Sequence, residues 1–107
     1  MMTVVQSIQF KGNTIRYINE NGTLFFIAKD ITFALGYKDG KQLIKRYLKT
    51  EQQLKRSVPT NNGQREVVVI TDKIVLEWAK RSTLQQSDCF YCWFVGWLSS
   101  RNVSVLL

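Results

Sequence analysis

Residues 25–49 read FFIAKDITFALGYKDGKQLIKRYLK, and the spacing of the apolar side chains changes period part-way along. Phe25 and Phe26 close a β-branched and aromatic run. From there Ile27, Ile31, Ala34 and Leu35 recur at the spacing of one helix face. Gly36 follows, where a helix commonly ends in a left-handed residue. After the break GYKD a second helix is predicted, with Asp39 as N-cap and Gln42 as its capping-box partner. Its apolar residues Leu43, Ile44, Tyr47 and Leu48 fall on one side. At about 100° per residue, Lys41, Lys45 and Lys49 form a stripe nearly opposite, with Arg46 beside it. A helix, a short glycine-containing turn and a basic amphipathic helix over 28–49 have a helix-turn-helix outline, whose second helix would be the reader.

Upstream, VVQSIQF, TIRYIN and TLFFI are strand-like runs separated by KGN and ENG. Gly12-Asn13 and Asn21-Gly22 are hairpin signals, because the tight hairpin turns need positive φ. Alternation puts Ile15 and Tyr17 on one face of the second run and Arg16 and Ile18 on the other, so at least one face of this sheet is covered. Downstream, QLKRSV and REVVVIT flank PTNNGQ, and Asn62-Gly63 again signals a hairpin, with Lys55, Arg56 and Arg65 near its loop. The last third is helical by pattern. Thr71 can cap a helix with Ile74, Val75 and Trp78 inward, while Lys80 and Arg81 suit its C-terminal dipole. Thr83 with Gln86 makes a further capping box before SDCFYCWFVGWL. The expected fold is α+β: a small antiparallel sheet and a β-hairpin packed with about four helices, in a single domain over 1–107.

The totals restrict the chemistry. The chain has 107 residues and no histidine, which removes Ser-His and Cys-His catalysis. No phosphate-binding G-x-x-x-x-G-K-[ST] loop is present. Cys89 and Cys92 stand as C-x-x-C, but a structural zinc site takes four ligands and there is no second pair. Amid bulky aromatics the two thiols are expected to be buried and to act as small hydrophobes. No enzyme, cofactor or metal is expected. The N-terminus lacks the pattern of a secretion signal, and the aromatic-apolar run CFYCWFVGWL is too short to span a bilayer, so a cytoplasmic location and no membrane partner are expected.

Fifteen basic residues against eight acidic ones leave a net charge of +7. Residues 38–56 contain seven basic residues, Lys38, Lys41, Lys45, Arg46, Lys49, Lys55 and Arg56, and two acidic ones, so this window carries most of the excess. A solvated helix face usually mixes signs, because Glu–Lys pairs four apart add stability. Here like charges repel along the stripe by about 0.2–0.5 kcal/mol per pair, a loss that a phosphate backbone would reverse. Hairpin charges such as Arg56 and Arg65 either protect a sheet edge or form a wing that touches phosphates. In the C-terminal helix, Phe90, Trp93, Phe94 and Trp97 recur at core spacing. The run is apolar nearly all round, which also makes these four a candidate homodimer interface.

The stretch FFIAKDITFALGY resembles the signature of the BRO-family N-terminal domain, F-x-A-x-D-[VI]-x-x-x-L-G-Y, through Phe26, Ala28, Asp30, Leu35, Gly36 and Tyr37. Ser82, Phe90 and Trp93 are similar to its later S…F-x-x-W element. In place of the family's Leu-Tyr after the last strand, this chain has Leu76-Glu77-Trp78. The resemblance implies a phage or prophage antirepressor-like regulator, commonly described as DNA-binding and acting in the bacterial host. Family members often continue into a second domain, whose function is not expected within these residues. Two partners follow. One is DNA, held by Lys38, Lys41, Lys45, Arg46 and Lys49 with Lys55, Arg56 and Arg65 alongside, and with Gln42 or Arg46 reaching base edges. The alternative is an acidic protein surface on a repressor or host factor, which the chain would occlude.

Overall fold

A computed structural model describes residues 5–38, 40–48, 53–82 and 84–101. Three strands, β1 (Val5–Phe10), β2 (Asn13–Glu20) and β3 (Thr23–Ile27), form an antiparallel meander. Its tight turns are Lys11-Gly12, at φ 47° and 83°, and Asn21-Gly22, at φ 53° and 90°. Two consecutive positive φ values give a turn whose twist matches that of the flanking strands. The first turn thus lies one residue before the expected Gly12-Asn13. Asn13 instead pairs with Phe10, whose carbonyl accepts from Asn13 Nδ2 at 3.2 Å.

β3 runs directly into α1 (Ala28–Leu35). Ile27 is therefore the last strand residue and not the first of the helical row, and it packs on the opposite side of the sheet from Ile31. Gly36 ends α1 as expected, at φ 104°. Its N–H donates to Phe33 O and that of Tyr37 to Thr32 O, both at 3.0 Å, so the last carbonyls are satisfied by a Schellman closure. α2 (Gly40–Tyr47) follows after a short link. The expected cap Asp39 and the stripe residue Lys49 lie outside the described residues, as does the capping-box residue Thr83.

The two helices meet at Gly40 and Thr32. A Cβ on Gly40 would lie far inside contact distance of Thr32 Oγ1, which is held by donation to Lys29 O at 2.7 Å. Gly40→Ala is accordingly expected to destabilise the fold by about 2 kcal/mol, the usual scale of overpacking. Thr32→Ala in the same chain should recover much of the loss, and a chemical-denaturation cycle of the four proteins measures it. Additive losses would mean that this contact does not set the helix spacing.

β4 (Leu54–Thr60) and β5 (Gly63–Thr71) form the second hairpin. Its loop is Asn61-Asn62, with Gly63 already in β5 at φ 107°, again one residue earlier than expected. The hairpin does not stand apart. β5 pairs with β3 through Phe25↔Thr71, Phe26↔Ile70 and Ile27↔Val69, giving one five-stranded sheet of order β1-β2-β3-β5-β4.

α3 (Asp72–Arg81) and α4 (Ser87–Arg101) complete the α+β fold. Thr71 occupies the N-cap position of α3 but makes no side-chain cap bond, and Asp72 Oδ1 accepts from Lys73 N at 2.9 Å instead. Val75 and Trp78 are buried, with Ile74 half-buried beside them. The main core lies between one sheet face and the helices, where Phe10, Ile15, Tyr17 and Phe26 meet Ile31, Leu35, Val75, Phe90 and Phe94. A smaller cluster, Ile18, Phe25, Ile27, Val58 and Val69, covers part of the other face.

Phe90 and Phe94 have no exposed surface and stack on each other, with centroids 5.6 Å apart. Trp93 and Trp97 are half-buried against Phe10, Tyr17 and Phe26. The interface expected of these four is corrected to this extent: Phe90 and Phe94 are interior to one chain. The outward side of α4 carries Cys89, Cys92, Val95 and Gly96. Both cysteines are exposed free thiols, contrary to the expectation of burial. They fall on the side of the helix turned away from the sheet, where the sequence pattern, apolar all round, could not tell inside from outside.

Candidate functional site

α2 presents Lys41, Gln42, Lys45 and Arg46 to solvent because Leu43 and Leu48 are drawn into the core with Ile44 half-buried beside them. No acidic residue occurs within the helix. Lys38, in the link before it, is exposed as well.

The hairpin cations divide into two kinds. Arg56 is held within the fold: its Nε and Nη2 donate to the Glu20 carboxylate at 2.8 and 3.2 Å, and its guanidinium lies 5.0 Å from the Phe25 ring centroid. The hydrogen bond to Glu20 raises the arginine pKa above its ordinary value, with charge attraction adding to it. Lys55 lies 3.9 Å from Glu66. Arg65 is exposed on the sheet face of Val58, its partner in the ladder.

Between hairpin and helices is a groove of about 260 Å³ that brings Lys41 and Ile44 of α2 together with Arg65 and Val67 of β5. Hairpin and basic helix are therefore neighbours, which no sequence spacing could establish. Two further cations, Arg16 of β2 and Lys29 of α1, border the same groove and were not among the expected site residues. Arg16 sits in β2 between the buried residues Ile15 and Tyr17, and nothing local marks it. The signal was Asp30, a carboxylate on the buried face of α1 that requires a partner. Asp30 accepts from Arg16 Nε at 2.8 Å, Arg16 Nη2 at 3.0 Å and the Arg16 backbone N–H at 3.0 Å. That hydrogen bonding raises the Arg16 pKa, opposed by partial burial.

The remaining motif residues hold the architecture. Phe26, Ala28 and Leu35 are fully buried. Tyr37 Oη donates to Ser82 Oγ at 3.1 Å, and Ser82 Oγ also accepts from Leu84 N at 3.2 Å and lies 2.6 Å from Ser87 Oγ. Gln86, expected in a capping box, instead donates through Nε2 to Ala34 O at the end of α1. The two motifs, about 45 residues apart, thus close one junction between α1 and the start of α4. Among the described residues no cluster of three or more metal-ligating side chains occurs, and no helix is long and apolar enough to cross a membrane.

The family comparison falls on this same framework. Residues 14–98 match the family described as BRO family, N-terminal domain (Bro-N). No curated protein and no solved structure matches the chain. The match begins with β2 and ends in α4, so it takes in both motifs, the basic helix and the hairpin. The chain belongs to the BRO family, whose N-terminal domain it carries.

Proposed function

We propose that the protein is an antirepressor-like regulator of phage type that binds nucleic acid through α2, without catalysis. One observation carries this reading: Lys41, Gln42, Lys45 and Arg46 share an exposed face free of acidic residues, and Lys41 borders the same groove as Arg65 of the hairpin. Lysine and arginine on phosphates supply affinity, while Gln42 and Arg46 have the donors that read base edges. Arg56 is assigned to the fold, since its guanidinium is clasped by Glu20 and stacked on Phe25.

The test is a salt titration of duplex binding. With four phosphates neutralised by Lys41, Lys45, Arg46 and Arg65, log affinity should fall with log salt at a slope of about −3.5. Lys45→Ala should reduce the slope by about 1 and weaken all sequences alike, whereas Arg56→Ala should leave it unchanged. A flat salt response would overturn the reading. The second reading, occlusion of a repressor or host factor, is favoured by the aliphatic lining of the groove and would give a complex that survives nuclease.

A further inference from the structure

The five-stranded sheet is unevenly paired. β4 is paired along its whole length with β5, from Thr60↔Gly63 to Leu54↔Val69. On its other side, β3 reaches only Val69, Ile70 and Thr71 before turning into α1 at Ala28. Among the described residues, the edge of β5 over 63–68 therefore has no strand beside it. Pro59, which has no N–H, stands opposite Gln64, and a proline fits a ladder where no hydrogen bond is required of it. That pair is thus of the non-hydrogen-bonded kind. The alternation of an antiparallel ladder then turns the N–H and C=O of Glu66 and Val68 away from β4 and toward the open edge.

The groove runs along this edge. Four consecutive β5 residues, 65–68, border it. Side chains of a strand alternate between faces, so four in succession share one space only where that space lies beside the backbone. Ile27, Ile44 and Val58 make its floor aliphatic, and no aromatic ring lines it. Its rim is cationic: Lys29, Lys41 and Arg65 stand against Glu66, with Arg16 already joined to Asp30.

These features select the occupant. An unstacked base would want an aromatic platform, and none is there. An extended peptide would satisfy the open backbone edge, place branched aliphatic side chains on the floor and set carboxylates against the rim. We propose that the notch between β5 and the helices docks an extended acidic peptide, which adds to β5 as a strand. This goes beyond the nucleic-acid reading and does not rest on it. Because Lys41 and Arg65 serve both surfaces, a docked peptide and duplex DNA exclude one another.

The unaltered protein tests the proposal with the acetylated peptide Glu-Asp-Val-Leu-Val-Asp-Glu at low ionic strength. Titration followed by NMR should shift the amides of Glu66 and Val68 and the methyls of Ile27, Ile44 and Val58. N-methylation of alternate peptide nitrogens, on the edge that faces β5, should weaken binding at least tenfold. Replacing Leu with Ser should weaken it about tenfold to a hundredfold, the value of burying one such side chain. Equal affinity for the N-methylated peptide would reduce the contact to surface charge and overturn strand addition. So would absence of binding, or shifts confined to the outer face of α2. An oligothymidine that shifts the groove methyls at lower concentration than the peptide would assign the notch to single-stranded nucleic acid instead. Duplex affinity, measured separately, leaves each of these outcomes unchanged.

Discussion

Phe94→Ala is expected to cost about 4 kcal/mol, a large part of the roughly 5–15 kcal/mol that holds a small domain together. The ring has no exposed surface. It lies 5.1 Å from Phe26 edge-on, is stacked on Phe90 at 5.6 Å, and touches Trp93 and Trp97 at 6.3 and 6.0 Å. Truncation would leave a cavity walled by rigid rings, which collapse poorly, and would remove ring–ring contacts worth about 0.5–1.5 kcal/mol each. Denaturation of Phe94→Ala should show the loss directly. Gly96→Asp, on the outward side of α4 where a Cβ meets nothing within 4 Å, serves as the control and should alter stability little. The comparison also separates core from interface. A folded, monomeric Phe94→Ala protein from a dimeric parent would show that the ring works between chains. Loss of the fold without a change of assembly in Gly96→Asp keeps it inside one.

Asp30→Ala should destabilise by about 3 kcal/mol, lowering the melting temperature by roughly 12–20 °C. The Asp30 side chain is 11% exposed and accepts three hydrogen bonds from Arg16, one of them from the backbone. Removing one partner of a buried pair leaves the other uncompensated, at about 3–5 kcal/mol. The lower figure applies because the Arg16 side chain is 39% exposed and can turn to water. The lost acceptor of the Arg16 N–H has no such remedy. Asp30→Asn keeps an acceptor for that N–H but not the charge, and should fall between parent and Ala variant. A thermal melt of Asp30→Ala within about 3 °C of the parent would show that the clamp between β2 and α1 contributes little. The same variant frees Arg16 at the groove, so peptide or duplex affinity should not decline while the fold persists.

Two features of this molecule bear on how regulation can be built on a small basic domain. The motif that identifies the family is structural: Asp30 clamps α1 to β2, Gly36 closes α1, and Tyr37 with Ser82 ties α1 to the entry of α4. The side chains that can meet a partner lie elsewhere, on α2 and on the hairpin.

Local physics was legible in the sequence. The helix over 28–35 and its left-handed stop at Gly36 follow from apolar spacing and from glycine's freedom at positive φ. So does the amphipathic basic helix with Leu43 and Leu48 inward, and so do the three hairpins, because each signal is contained within a few residues. The one-residue errors at Gly12 and Gly63 arose where asparagine follows or precedes glycine, since both tolerate turn geometry and only strand register chooses between them. What lay beyond the sequence was every contact between distant segments. Pairing of β3 with β5 joined two separate sheets because Phe25–Ile27 and Val69–Thr71, some 45 residues apart, bury matching faces. That pairing alone carries Arg65 to Lys41, withdraws Arg56 to Glu20 and leaves the β5 edge open where β3 departs. Hydrophobic periodicity says which face of an element is buried but not against which neighbour, so the α2 face was readable from the chain, while the groove existed only once the sheet had closed.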